Sequence, residues 1–186
     1  MIDNIQLGAV VAPIVSAVVV TILYHYLGKE YLGADENELW NKLRCGVLAP
    51  LDSTVRTKTS FALTNRSHEE EWVGEFNLTS QELAVELGKA GYLQGVLSGL
   101  KTRKISGLTD YEAGSMVLRE SKSDLIPDVL ALYQTHIFWF ENEDGTLDVF
   151  AHYEYSSLNP LVAWKHYRAV GQDYAEGVKR AEKVLQ

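Results

Sequence analysis

Hydrophobic positions along the chain fall into two regimes. Residues 5–27, IQLGAVVAPIVSAVVVTILYHYL, run for 23 positions without an Asp, Glu, Lys or Arg, and after them apolar and polar positions alternate on much shorter periods. A helix with no polar face must be surrounded by lipid or by protein on all sides. At 1.5 Å per residue the segment reaches about 34 Å, enough to cross a hydrocarbon core of roughly 30 Å. Pro13 loosens one turn, which membrane helices tolerate. Tyr24, His25 and Tyr26 stand where an interfacial aromatic belt belongs, ahead of Gly28, Lys29 and Glu30. A cleaved signal peptide would want a basic start and a shorter apolar stretch, whereas Asp3 is acidic and the stretch is long. The pattern predicts a single transmembrane helix within 1–28, a juxtamembrane helix and linker over 29–50, and one soluble domain over 51–186.

In the soluble part the periods switch between those of helix and strand. Asp35 to Arg44 reads as a helix with acids first and bases last, followed by a turn at Pro50 and Asp52. Val55–Leu63 and Trp72–Leu78 read as strands joined by 65–70. Thr79 with Glu82 three residues later forms a capping box, predicting a helix with Leu83, Leu87 and Ala90 inward. Gly91, Gly95 and Gly99 follow at four-residue spacing; charges nearby make them turn or packing glycines of a soluble fold. Met116–Arg119 reads as a short strand and Asp128–Leu132 as a helical turn. Two runs, 136–140 and 147–152, flank Asn142-Glu143-Asp144-Gly145-Thr146, the pattern of a hairpin with Gly145 in a left-handed bulge position. Asn159-Pro160 starts a helix, and Asp173 caps a last one whose apolar side is Tyr174, Val178, Ala181 and Leu185. Hairpins outnumber βαβ crossovers in this pattern. The fold class is therefore α+β, an antiparallel sheet packed against helices.

Composition and charge narrow the partners. A net charge of −8 argues against nucleic acid, which needs a basic surface. The single cysteine, Cys45, excludes an internal disulfide and a thiolate-built zinc site. Lys29, Lys42 and Arg44 follow the apolar segment and no base precedes it, which favours a cytoplasmic main domain. The triplets Asn65-Arg66-Ser67 and Asn77-Leu78-Thr79 pull the other way as glycosylation acceptors. Lys101, Arg103 and Lys104 form a compact basic cluster, read as a solvated helix end or, near a bilayer, a site for anionic headgroups.

Candidate chemistry is concentrated on the hairpin, because P-loop, GxGxxG, GxSxG, HExxH and paired CxxC motifs are all missing from the sequence. A three-residue loop at 143–145 puts Phe138 opposite Phe150 and His136 opposite His152, with Gln134 and Glu154 next along the same face. Two imidazoles and a carboxylate, His136, His152 and Glu154, suit a divalent metal. A two-residue Asp144-Gly145 turn would instead oppose Ile137 to His152 and dissolve the group. The bland alternative is that the histidines are polar ends of a sheet face. Ile137, Trp139, Leu147, Val149 and Ala151 form the core face. Phe138, Phe140 and Phe150 then make the histidine face apolar near the turn, as an interaction strip for a partner, for self-association or for lipid. These patterns favour a non-enzymatic, single-pass membrane-anchored subunit or scaffold of a larger assembly, in a cell or a membrane-containing virion, with no cofactor. The alternative is a membrane-tethered metal-dependent hydrolase using His136, His152 and Glu154.

Overall fold

The computed structural model describes residues 64–94, 100–120 and 128–186, together with Gly46, Pro50, Leu51, Asp52, Val55 and Thr57. The apolar segment 5–27, the helix expected at 35–44, Cys45, Gly95 and Gly99 lie outside the described residues. Among the described residues no helix is long and apolar enough to cross a membrane.

The domain is α+β. A five-stranded antiparallel sheet runs in the order β2 (Trp72–Phe76), β8 (Leu147–Tyr155), β7 (Tyr133–Glu141), β6 (Gly114–Arg119), β3 (Leu93–Gln94). A second sheet has three strands, β1 (Thr64–Arg66), β4 (Leu100–Ile105) and β5 (Leu108–Tyr111), with β1 parallel to β4 and β5 antiparallel to it. The helices are α1 (Ser80–Lys89), α2 (Ala163–His166) and α3 (Tyr174–Leu185).

Local chemistry explains where these helices begin. The Glu82 N–H donates to the Thr79 hydroxyl at 3.2 Å, and the Glu82 carboxylate accepts the Thr79 N–H at 2.8 Å, the reciprocal capping box. Asp173 caps α3 by accepting the Glu176 N–H at 3.0 Å. Leu83, Ala84 and Leu87 of α1 and Ala181 of α3 pack on Met116, Ile137, Trp139, Leu147, Val149 and Ala151, which form one face of the larger sheet. Ala90, expected on the inner face of α1, is exposed, and Ala84 takes that place. At Gly177, α3 touches the backbone of β8: a Cβ there would lie 2.1 Å from the His152 Cα, so only glycine permits the contact.

Several sequence expectations are corrected. Val55 and Thr57 are helical, not part of a strand; strand propensity is a weak local signal that context overrides. The link 65–70 carries part of β1 and the start of a 3-10 turn, Glu69–Glu71. Asn159 does accept the Leu161 N–H at 3.0 Å, but it opens a turn and α2 begins only at Ala163. Lys101, Arg103 and Lys104 lie on β4, not at a helix end, and strand alternation puts Lys101 and Arg103 on one face and Lys104 on the other. Lys101 is buried on Glu71, and Arg103 bridges Asp110 and Asp148 at 2.7 Å each.

Candidate metal centre

The site is set by the turn between β7 and β8. The Asn142 N–H bonds to the Thr146 carbonyl, the Gly145 N–H returns to the Asn142 carbonyl, and Gly145 has φ +86. That left-handed residue closes the hairpin in the register expected from a three-residue loop. His136 therefore pairs with His152, Phe138 with Phe150 and Gln134 with Glu154. Since 137, 139, 149 and 151 face the helices, the alternate residues face the other way, toward β4 and α2.

On that second face six elements converge. His136 Nε2 is 3.0 Å from the Ser115 hydroxyl of β6, and its Nδ1 is 3.3 Å from His152 Nε2. His152 donates through Nδ1 to Glu71 at 2.7 Å, leaving Nε2 turned toward Glu154 at 3.2 Å. Glu71 comes from the 3-10 turn, where its Oε2 accepts the His68 backbone N–H at 2.6 Å, and the Lys101 ammonium of β4 donates at 2.8 Å to the Oε1 that also takes the His152 bond. Glu154 accepts from Gln134 at 2.9 Å and from Gln172 at 3.2 Å. His166 of α2 brings its Nδ1 to 3.0 Å from the same carboxylate. Three of the chain's five histidines thus meet one carboxylate. All four of these side chains are buried, with His152 fully so.

Burial and charge oppose each other in this cluster. Burial raises the Glu71 carboxyl, but the His152 hydrogen bond and the Lys101 charge outweigh it and hold the group down at about 2. Glu154 follows the same logic: burial pushes it up, and His166 and His152 hold it well below the usual carboxylate range. His136 is pulled down by burial to about 3, so its ring is neutral at physiological pH and keeps a lone pair. For His152, burial and Lys101 push downward, yet Glu154 and Glu71 raise it overall.

The geometry suits a metal ion on two counts. First, the ligating atoms of His136, His152 and Glu154 lie within 4.8 Å of one another around a cavity of about 10 Å³, which is lined also by Lys101, His166 and Gln172. A space of that size holds about one water or one ion. Second, bonds of about 2.0–2.1 Å in a tetrahedron place donor atoms roughly 3.3 Å apart. His136 Nδ1 and His152 Nε2 are 3.3 Å apart, which matches such an edge, while Glu154 faces them with different oxygens, Oε1 at 3.5 Å from His136 and Oε2 at 3.2 Å from His152. Each histidine is anchored through its outward nitrogen, His152 on a carboxylate and His136 on a hydroxyl, the arrangement that fixes tautomer and ring orientation in metal sites.

The sequence placed His136, His152 and Glu154 together, and they are together. It did not identify Glu71, Lys101, Ser115 or His166. A small signal existed for His166, since a chain with few histidines that uses two on one sheet face invites a search for the third. The expected interaction strip is corrected: Phe138 and Phe140 are completely buried and Phe150 is half-buried. The cause is β4, whose Lys101 ammonium lies 5.0 Å over the Phe138 ring and whose Arg103 guanidinium lies 4.6 Å over Phe140. Comparison with protein-family models, with curated proteins and with solved structures finds no match for this chain.

Proposed function

We propose that this domain binds a divalent transition metal of the zinc or iron class through His136 Nδ1, His152 Nε2 and Glu154. The observation that carries the reading is the pair of oriented imidazoles. Each ring has one nitrogen anchored on a neighbour, His136 Nε2 on the Ser115 hydroxyl and His152 Nδ1 on Glu71, and turns the other toward the cavity; an ion taking His136 Nδ1 leaves Nε2 to donate to Ser115. An N/N/O donor set of two imidazoles and one carboxylate favours such ions over calcium or magnesium, which take oxygen ligands. A polar cluster with no such role would be a costly way to fill a sheet face, because burying charged groups rarely stabilises more than apolar packing of equal volume.

The full-length chain, stripped with a chelator and titrated with zinc or ferrous iron, is expected to take up one ion per chain. Its melting temperature should rise as it does so, and the double variant H136A/H152A should show neither response. If the unmodified chain binds no metal in stoichiometric amount and its melt does not move, the proposal fails.

Tethering of this domain to a bilayer is a second part of the reading, and it rests on the uncharged run 5–27. In that setting the chain serves as a membrane-anchored subunit, with the metal centre supporting either its architecture or a hydrolytic activity. Carbonate extraction of membranes separates the cases: a spanning chain stays in the pellet, and release into the wash removes the anchor from the proposal.

A further inference from the structure

The side chain left over at this site is His166. It is 7% exposed, it lines the cavity, and its Nδ1 has no hydrogen-bond partner. Although Nδ1 lies 3.0 Å from Glu154, the contact lacks hydrogen-bond alignment, so proximity alone defines the ion pair. A buried ring nitrogen beside a carboxylate, close enough to bond yet not aimed to do so, needs another partner.

The segment that carries His166 shows what such a partner would hold in place. Residues 160–166 bury only Val162 and His166, while Leu161 is 77% and Trp164 46% exposed. The chain then reverses through Ala169 (φ 51) and Gly171 (φ 68), returning Gln172 to within 3.2 Å of Glu154. A Cβ at Gly171 would press on the Tyr155 ring at 3.2 Å, so the reversal hugs the end of β8. Two polar side chains of this segment, His166 and Gln172, reach the same carboxylate.

We propose that His166 is the fourth ligand of the centre, so that a bound ion fastens the segment 160–172 over the histidine face of the hairpin as a closed, structural site. This rests on the metal-binding reading above. With three imidazoles and one carboxylate around the ion, the tetrahedral set is complete and no coordination position is open to a substrate. His166 Nδ1 lies 3.0 Å from Glu154 Oε2 but outside the compact group of His136, His152 and Glu154, so the ion would draw segment 160–172 inward to complete the tetrahedron. Zinc, which has no geometric preference of its own, fits this donor set best.

Cobalt(II) is the probe, because its visible absorption is strong when four-coordinate and weak when five- or six-coordinate. The apo full-length chain titrated with cobalt should give the strong four-coordinate spectrum. His166→Ala should still bind, but with the bands shifted as water replaces an imidazole and with affinity reduced beyond the roughly 10–100-fold typical of losing an outer-shell partner. Identical spectra and affinities for the two proteins overturn the assignment and leave His166 as an ion-pair partner of Glu154. If the unmodified chain binds no cobalt at all, it is the metal-binding reading that fails. A second measurement needs no variant: zinc should slow amide hydrogen exchange in residues 160–172 as well as in β7 and β8. Protection confined to the strands overturns the proposal.

Discussion

The two faces of the β7–β8 hairpin are equally buried and built on opposite principles. On one, Ile137, Trp139, Val149 and Ala151 meet α1 and α3 through apolar contact. On the other, Gln134, His136, His152 and Glu154 are as hidden from water, yet nearly every polar atom has a partner from another element. Apolar burial is non-directional and tolerates repacking, whereas a buried polar cluster holds only if its donors and acceptors are matched. The first face supplies stability. The second supplies a defined geometry, and geometry is what a metal site requires.

The largest effects should come from breaking the apolar face. Trp139→Ala removes a fully buried ring, whose indole N–H also donates to Ser80 at 2.9 Å, and should cost about 3–5 kcal/mol in chemical denaturation. That cost should be the same with and without metal. A cost that shrinks when metal is removed would mean the two faces are energetically linked and the comparison is wrong.

Glu71→Gln sharpens the comparison from the polar side. It keeps the shape but weakens the hold on the His152 Nδ1–H and leaves Lys101 without its counter-charge. Zinc affinity should fall roughly 10–100-fold, equivalent to about 1.4–2.7 kcal/mol. Isothermal titration reads this directly, and unchanged affinity would remove the role assigned to Glu71 in orienting His152.

The smallest effect belongs to the turn that keeps both faces in register. Gly145 has φ +86 and open space around the position of a Cβ, so Gly145→Val should cost about 1 kcal/mol through backbone strain alone. His136 and His152 should remain paired, with metal uptake retained. A loss of metal binding in a variant that is still folded would show that the register had slipped by one residue, exchanging the faces.

Much of this hairpin was legible in the sequence because its determinants are local. Loop length and a glycine at the left-handed position fix which residues oppose one another, so His136, His152 and Glu154 could be placed together from 134–154 alone. The capping residues Thr79 and Asp173 were legible for the same reason, since each acts within three residues. The second sheet was not. Its strand β4 reads as a basic cluster, and only pairing with β1 and β5 shows it to be a strand, with Lys101 and Arg103 on one face and Lys104 exposed. The fate of Phe138 and Phe140 was equally hidden: alternation shows that they share a face, but not that Lys101 and Arg103 would close over it.

By itself, then, the sequence indicated the α+β class, the starts of α1 and α3 and, on the three-residue reading of the turn, the grouping of three candidate ligands, all of them consequences of interactions short in sequence. Tertiary structure decided everything that depends on a partner far along the chain. Glu71 reaches His152 across 81 positions and Lys101 reaches Glu71 across 30, and no local pattern encodes either contact. His166 joins them because the turn at Asn159 and the reversal at Ala169 and Gly171 fold its segment back over β8. Periodicity reports which way a side chain points; what it meets there is settled only when distant elements pack.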